Sequence, residues 1–453
     1  MFKKYKFSFA FSSLIFVAAF VLFYYMDLKS LTVWTLNVWD TLAESGNIRT
    51  FYEYSARNLY GLEHAMVGSD ILIYLPWAVW NLPIWLVQHF LGAAAVANSW
   101  MLLYSKMFLL AVFGAVLYLA RRIVGLLAYE KEDAQRVLFL SASSLFTVTS
   151  LCYVGQNDVL VIAPFLAGIY ELLRGRRKYF VLWAAISVAF KPFFLFSYLA
   201  IVLLLEKDLL KDVLYLIGGC SVYVLQKFIF IGAPFYGESL SYGPTSGAIE
   251  LMLQTKLDVP PAGASLFFLG MGVIWLMAYF TSVGKKEEGT GAFGSYLLYY
   301  ATAPALIFFL FTRYESYRPF YLVPLLFLLM MTKPAYARTN LLLETVASGA
   351  LMYYYMIEDV LFYHPAFLRG ASLNGDTISS VADFITERIP GAGLSVFTAV
   401  FLLAVLLLLV INHPSFHSEN EVLCKKEEPW LLPVRSVLYG LPVVLTILLK
   451  MIA

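Results

Sequence analysis

The chain is a succession of apolar runs, many of them near the length that crosses a bilayer, and this repetition limits its fold more than any single residue does. One run extends from Phe7 to Met26 behind the basic start Lys3-Lys4-Tyr5-Lys6. Others lie near 101–120, 137–153, 159–173, 179–190, 192–205, 213–232, 263–283, 292–311, 319–332, 341–362, 394–411 and 436–452. Hydrocarbon offers no water to satisfy backbone groups, so such runs fold as helices. The sequence therefore predicts an all-α polytopic membrane protein, a single integral membrane domain over 1–453 with about thirteen transmembrane helices. Composition agrees, with 61% hydrophobic and only 14% charged residues.

Several classes are excluded at once. A net charge of +2, from 32 basic and 30 acidic residues spread along the chain, is too balanced for a nucleic-acid binder. Cys152, Cys220 and Cys424 are isolated, which argues against a disulfide framework and a cysteine metal site. The first run is long enough to span, and no small-residue cleavage pattern follows it, so it reads as an anchor instead of a signal peptide.

Orientation follows from the distribution of Lys and Arg, which favours short cytoplasmic segments. With the N-terminus inside, twenty basic residues fall in inner segments, among them Arg121, Arg122, Arg174, Arg176, Arg177, Lys178 and Arg435, against eight outside. The C-terminus is then outside. This places 27–100 as a first extracytoplasmic loop with interfacial helices. Within it, 71–91 is apolar but carries Pro76, Asn81, Pro83, Gln88 and His89, and reads as a broken interfacial or re-entrant helix with Trp77, Trp80 and Trp85 at headgroup depth. Lys191-Pro192 marks a buried hairpin tip.

Polar residues kept among apolar runs point to function, because ionisable groups near hydrocarbon are costly. They gather on the predicted outer side: Gly155-Gln156-Asn157-Asp158, Lys191, and Arg313-Tyr314-Glu315-Ser316-Tyr317-Arg318. Asp158 is also a suitable helix cap, and Arg313 and Arg318 equally suit interfacial snorkelling. Lys191, beside a helix break, needs an anionic partner, for which a phosphate or an acidic side chain would serve. Five scattered histidines show no zinc spacing, and no glycine-rich phosphate loop is present.

The order of these features resembles a known family. A first span, a long acidic outer loop and Tyr74-Leu75-Pro76 look like the GT-C glycosyltransferases that use polyprenyl-phosphate sugars. Gly155-Gln156-Asn157-Asp158, the basic turn Arg174 to Lys178 and Lys191-Pro192 are similar to the series in bacterial polyprenol-phosphate-mannose-dependent mannosyltransferases, and more distantly in the enzyme adding the first mannose of the glycosylphosphatidylinositol anchor. The likeness covers roughly the first 205 residues. It implies an inverting transfer at the outer face of a bacterial plasma membrane, probed by two needs: a carboxylate base and donors for the departing phosphate.

For the base, Asp40 in Asn37-Val38-Trp39-Asp40 is preferred among Asp27, Asp40, Glu44, Glu53, Glu63 and Asp70. Asp40 and Glu44, four residues apart, share one face of a helix, which fits a paired site and equally a solvated face. Asp158 joins them as a catalytic candidate. Asn37, Tyr54, Arg57, His64, Asp70, Gln156, Asn157, Lys191, Arg313, Glu315, Tyr317 and Arg318 are the substrate-binding candidates. The expected partners are a polyprenyl-phosphate sugar, a lipid-linked or glycan acceptor and membrane lipids, with no nucleic acid; a divalent cation is left open. The rival class is a transporter or flippase for lipid-linked sugars, disfavoured because no inverted repeat is detected and the polar groups gather on one side.

Overall fold

The computed structural model describes residues 6–24, 26–60, 67–92, 98–242, 248–260, 263–282, 291–312, 318–358, 366–367, 391–416 and 430–452. The described chain is nearly all-α. Its first helices are α1 (Lys6–Leu22), α2 (Met26–Ser45), α3 (Phe51–Arg57), α4 (Leu75–Leu91), α5 (Ser99–Leu126) and α6 (Lys131–Ala142). There follow α7 (Leu145–Thr147), which runs on into a π-helical turn at Val148–Val154, then α8 (Asp158–Leu173), α9 (Arg177–Phe190), α10 (Leu195–Leu205), α11 (Leu209–Phe230), α12 (Tyr236–Tyr242) and α13 (Ala248–Gln254). The last are α14 (Leu266–Phe280), α15 (Gly291–Phe311), α16 (Leu325–Met331), α17 (Ala337–Glu358), α18 (Gly391–Ile411) and α19 (Leu431–Ile452). Among the described residues the strands are two two-residue pairs, Phe23–Tyr24 with Ala366–Phe367 and Lys256–Leu257 with Ala264–Ser265.

Among the described residues three helices are long and apolar enough to cross a membrane, Ser99–Leu126, Leu209–Phe230 and Ala292–Phe311, or four if the bent pair Lys131–Ala142 and Leu145–Val154 is one span. Shorter apolar helices cover Phe7–Leu22, Pro192–Leu205, Leu266–Phe280, Ser395–Ile411 and Leu431–Leu445. Most of the predicted apolar runs carry a helix, but the run 319–332 divides into a 3-10 turn and the seven-residue α16, and the 20-residue α2 lies outside the runs.

Two expectations about continuity change. The run 137–153 is not one straight helix but bends by 48° at Ser143-Ser144. The stretch 71–91 breaks earlier than its second proline suggests: a short 3-10 turn at Ile71–Ile73 precedes Pro76, and α4 then continues through Pro83.

The chain divides into two compact units, Met1–Tyr25 with Leu117–Val154 and Val283–Ala453, and Met26–Val116 with Gly155–Ser282. In the former, α17 packs on α18, α1 on α19 and α15 on α16. The bend at Ser143-Ser144 frees backbone carbonyls, which need partners when buried. Arg435 of α19 supplies them, donating to the carbonyls of Ser143 at 2.8 Å and Leu140 at 3.2 Å, and to Ser143 Oγ. Its Nε and Nη2 form a two-pronged pair with Glu344 of α17, which also accepts from Ser144 Oγ at 2.9 Å. Arg435 is therefore a buried clamp within a helix, not the inner-loop charge that the orientation count took it for.

In the other unit, α8 packs on α9, α9 on α11, α10 on α14 and α2 on α4. A buried polar knot fixes the last pair against the start of α5. Thr32 shares a 2.9 Å hydrogen bond with Ser105, and Asn81 Nδ2 donates to Thr35 Oγ1 and Ser105 Oγ at 2.7 and 2.9 Å. Trp77 Nε1 donates to the Ser105 carbonyl at 3.0 Å. Asp40 lies two turns beyond Thr32 on α2, and Trp85 one turn beyond Asn81 on α4, so this knot sets their register.

Candidate carboxylate sites in one unit

Asp40 is buried on α2, only 8% exposed. Trp85 Nε1 donates to its Oδ1 at 2.7 Å, and the Tyr60 hydroxyl donates to its Oδ2. Tyr60 reaches it from a left-handed backbone conformation, φ 49°, that a bulky residue rarely adopts and that costs on the order of 1–3 kcal/mol. His89, exposed on α4, stacks on Trp85 with ring centroids 4.9 Å apart. Burial pushes the Asp40 carboxyl above its ordinary value of 3.8, against the hydrogen bonds of Tyr60 and Trp85, which pull it down. Burial first, then the carboxylate beside it, drives the Tyr60 phenol upward, so Tyr60 remains the donor of the pair.

Glu44 does not share this pocket. It is exposed and accepts from the Tyr54 hydroxyl at 2.9 Å, so the i to i+4 spacing corresponds here to one buried and one solvated carboxylate. Asn37 is buried and tied to Asn58 by two hydrogen bonds, one of them accepted by the Asn58 carbonyl, and Asn58 in turn donates to Tyr54. Arg57 is exposed and paired with Glu53 at 2.6 Å, an arrangement of small energetic consequence.

The second carboxylate cluster is built on the turn before α8. Gly155 adopts φ 73°, and a Cβ there would lie 3.3 Å from Leu28 Cβ, which accounts for glycine at the head of the motif. This close approach brings the start of α2 to the turn, where Gln156 Nε2 donates to Asp27. Asn157, not Asp158, occupies the cap position of α8, with no side-chain cap bond. Asp158 is fully buried and pairs with Lys191 at 2.5 Å, so the partner that Lys191 needs is an acidic side chain. The Asn157 side-chain oxygen is buried without a hydrogen-bond partner.

The third cluster centres on Asp70. Lys227 of α11 lies 2.9 Å from both of its oxygens, and the Tyr236 hydroxyl donates to Oδ1 at 2.8 Å. Neither partner is a sequence candidate; the only available signal was a lysine standing inside an apolar run.

Arg318 opens a 3-10 turn, Arg318–Leu322, in the other unit. His64, Arg313, Glu315 and Tyr317 lie outside the described residues. Among the described residues no three His, Cys, Asp or Glu side chains come together to hold a metal ion.

No family model, curated protein or solved structure matches the chain.

Proposed function

We propose that the protein is an inverting membrane glycosyltransferase that moves a sugar, mannose by resemblance, from a polyprenyl-phosphate donor to an extracytoplasmic lipid-linked or glycan acceptor. In this reading about thirteen spans cross a bacterial plasma membrane, the N-terminus is cytoplasmic, and 27–100 faces outward. The observation that carries it is Asp40: a carboxylate on a predicted outer-loop helix, buried, held on both oxygens, with its pKa raised by burial above the ordinary value.

The reaction assigned to it is a single displacement. Asp40 takes the proton of the acceptor hydroxyl while that oxygen forms a bond to the sugar C1. The bond from C1 to the phosphate oxygen breaks with its electron pair, and polyprenyl phosphate leaves. Trp85 and Tyr60 hold the carboxylate so that it needs no reorganisation as the proton arrives. Asp158 and Gln156, ordered by Lys191 and Asp27, are the candidates to orient the sugar hydroxyls.

The test is chemical. Purified protein in detergent, given a polyprenyl-phosphate sugar and acceptor lipids, should release polyprenyl phosphate without a membrane gradient. Movement of substrate across vesicles with the sugar–phosphate bond never cleaved would instead establish a transporter.

A further inference from the structure

The Asp70 cluster has a feature that a simple tether lacks. Lys227 carries three N–H donors, and Asp70 occupies at most two of them, while the lysine side chain remains 32% exposed against 9% for the aspartate. Its ammonium also stands over two tyrosine faces, 5.1 Å from the Tyr223 centroid and 5.4 Å from that of Tyr236. A cation so placed is held in one position and still has a donor to give. Burial, and then the charge of Asp70, drive the Tyr236 phenol upward, so that it stays protonated and continues to bond the carboxylate.

The neighbouring residue fixes the position of this turn of α11. Gln226 is 2% exposed, and its Nε2 donates to the carbonyl of Ala189 at 2.7 Å, two residues before Lys191. The Gln226 side-chain oxygen is buried without a hydrogen-bond partner. Through this bond the Lys227–Asp70 pair adjoins the α9 end that carries the Lys191–Asp158 pair.

We infer that Lys227 is the cation that receives the phosphate of a polyprenyl lipid carrier, with Asp70 as its counter-ion in the empty state. This rests on the glycosyltransferase reading for the choice of lipid but not for the anion chemistry. A phosphate monoester takes the spare donor, and the carboxylate, repelled by the incoming charge, turns to Tyr236 alone.

Titration of full-length protein in detergent decides the matter, with undecaprenyl phosphate, undecaprenol and inorganic phosphate as probes. Lys227→Gln should weaken undecaprenyl phosphate tenfold or more and leave undecaprenol unchanged. Asp70→Asn should act in the opposite sense and tighten the phosphate lipid, because the lysine then carries its charge unshared. A tether would behave otherwise: both changes would weaken both lipids alike, and that result overturns the inference. If Lys227→Gln fails to fold, Asp70→Asn decides alone, since equal or weaker binding of the phosphate lipid refutes the counter-ion role. Inorganic phosphate binding as tightly as the lipid, with the same dependence on Lys227, would refute the lipid carrier as its source. Lipid phosphate bound through Lys227 but no donor ever cleaved would leave this inference standing and remove the enzyme reading.

Discussion

Replacing Asp40 by asparagine separates a catalytic carboxylate from a structural one, because the structure lets asparagine keep both hydrogen bonds. Trp85 can only donate, which fixes the asparagine carbonyl at the Oδ1 position. The Tyr60 hydroxyl can reverse and accept from the new amide. What disappears is the negative charge. Burial holds the Asp40 pKa above 3.8 despite two donors, so at neutral pH the ionised group opposes folding relative to an unperturbed aspartate. The sign follows: its favourable contribution is complete below 3.8 and is lost as pH rises through the raised folded value. Asp40→Asn should therefore unfold at or above the wild-type midpoint at pH 7, with the difference closing as the pH falls toward 4.

Activity should move the other way. General-base help is worth roughly 10²–10⁴ in rate, or about 3–5 kcal/mol of barrier. The assay is release of polyprenyl phosphate in detergent, with the unfolding midpoint followed in the same preparation. In the wild type, kcat/KM should climb with pH through the raised Asp40 value and then level. Tyr60→Phe, which removes a hydrogen bond that lowers this pKa, should shift the climbing limb to higher pH. An Asp40→Asn protein with unchanged turnover, or one whose activity falls only as far as its stability does, would refute the assignment of the base.

Three further outcomes test the packing within each unit and the orientation of the chain. Gly155→Ala should lower the thermal midpoint by an amount corresponding to roughly 1–2 kcal/mol, since it forces a Cβ into a left-handed conformation against Leu28. Arg435→Met should cost about 3–5 kcal/mol by leaving Glu344 buried and uncompensated, and Arg435→Met with Glu344→Leu should recover much of that loss. For orientation, a thiol introduced as Ser45→Cys should react with an impermeant reagent in intact cells, and one introduced as Lys178→Cys only after permeabilisation; the reverse pattern inverts the topology.

Helices were legible because an apolar run is a local property: α8, α9, α15 and α18 begin and end within a few residues of the runs that predict them. Breaks were not, because what permits a break is a partner far away in sequence. The Ser143-Ser144 bend is satisfied by an arginine 292 positions on, and a reading that sorts basic residues by loop has no means of knowing that Arg435 is spoken for. Site residues divide along the same line. Asp40, Asp70, Asp158 and Lys191 stand out individually, since charge near hydrocarbon is costly wherever it lies. Of the residues that complete them, Lys227 shows only its place inside an apolar run, and Tyr60 and Tyr236 are two among 31 tyrosines with nothing local to distinguish them. Asp70 and Lys227 are 157 positions apart. Each carboxylate in these clusters is matched by a donor drawn from another helix or turn; the sequence names both halves of the Asp158–Lys191 pair, while for Asp40 and Asp70 it names the acid that is expensive to bury and the fold supplies the donors that make burial tolerable.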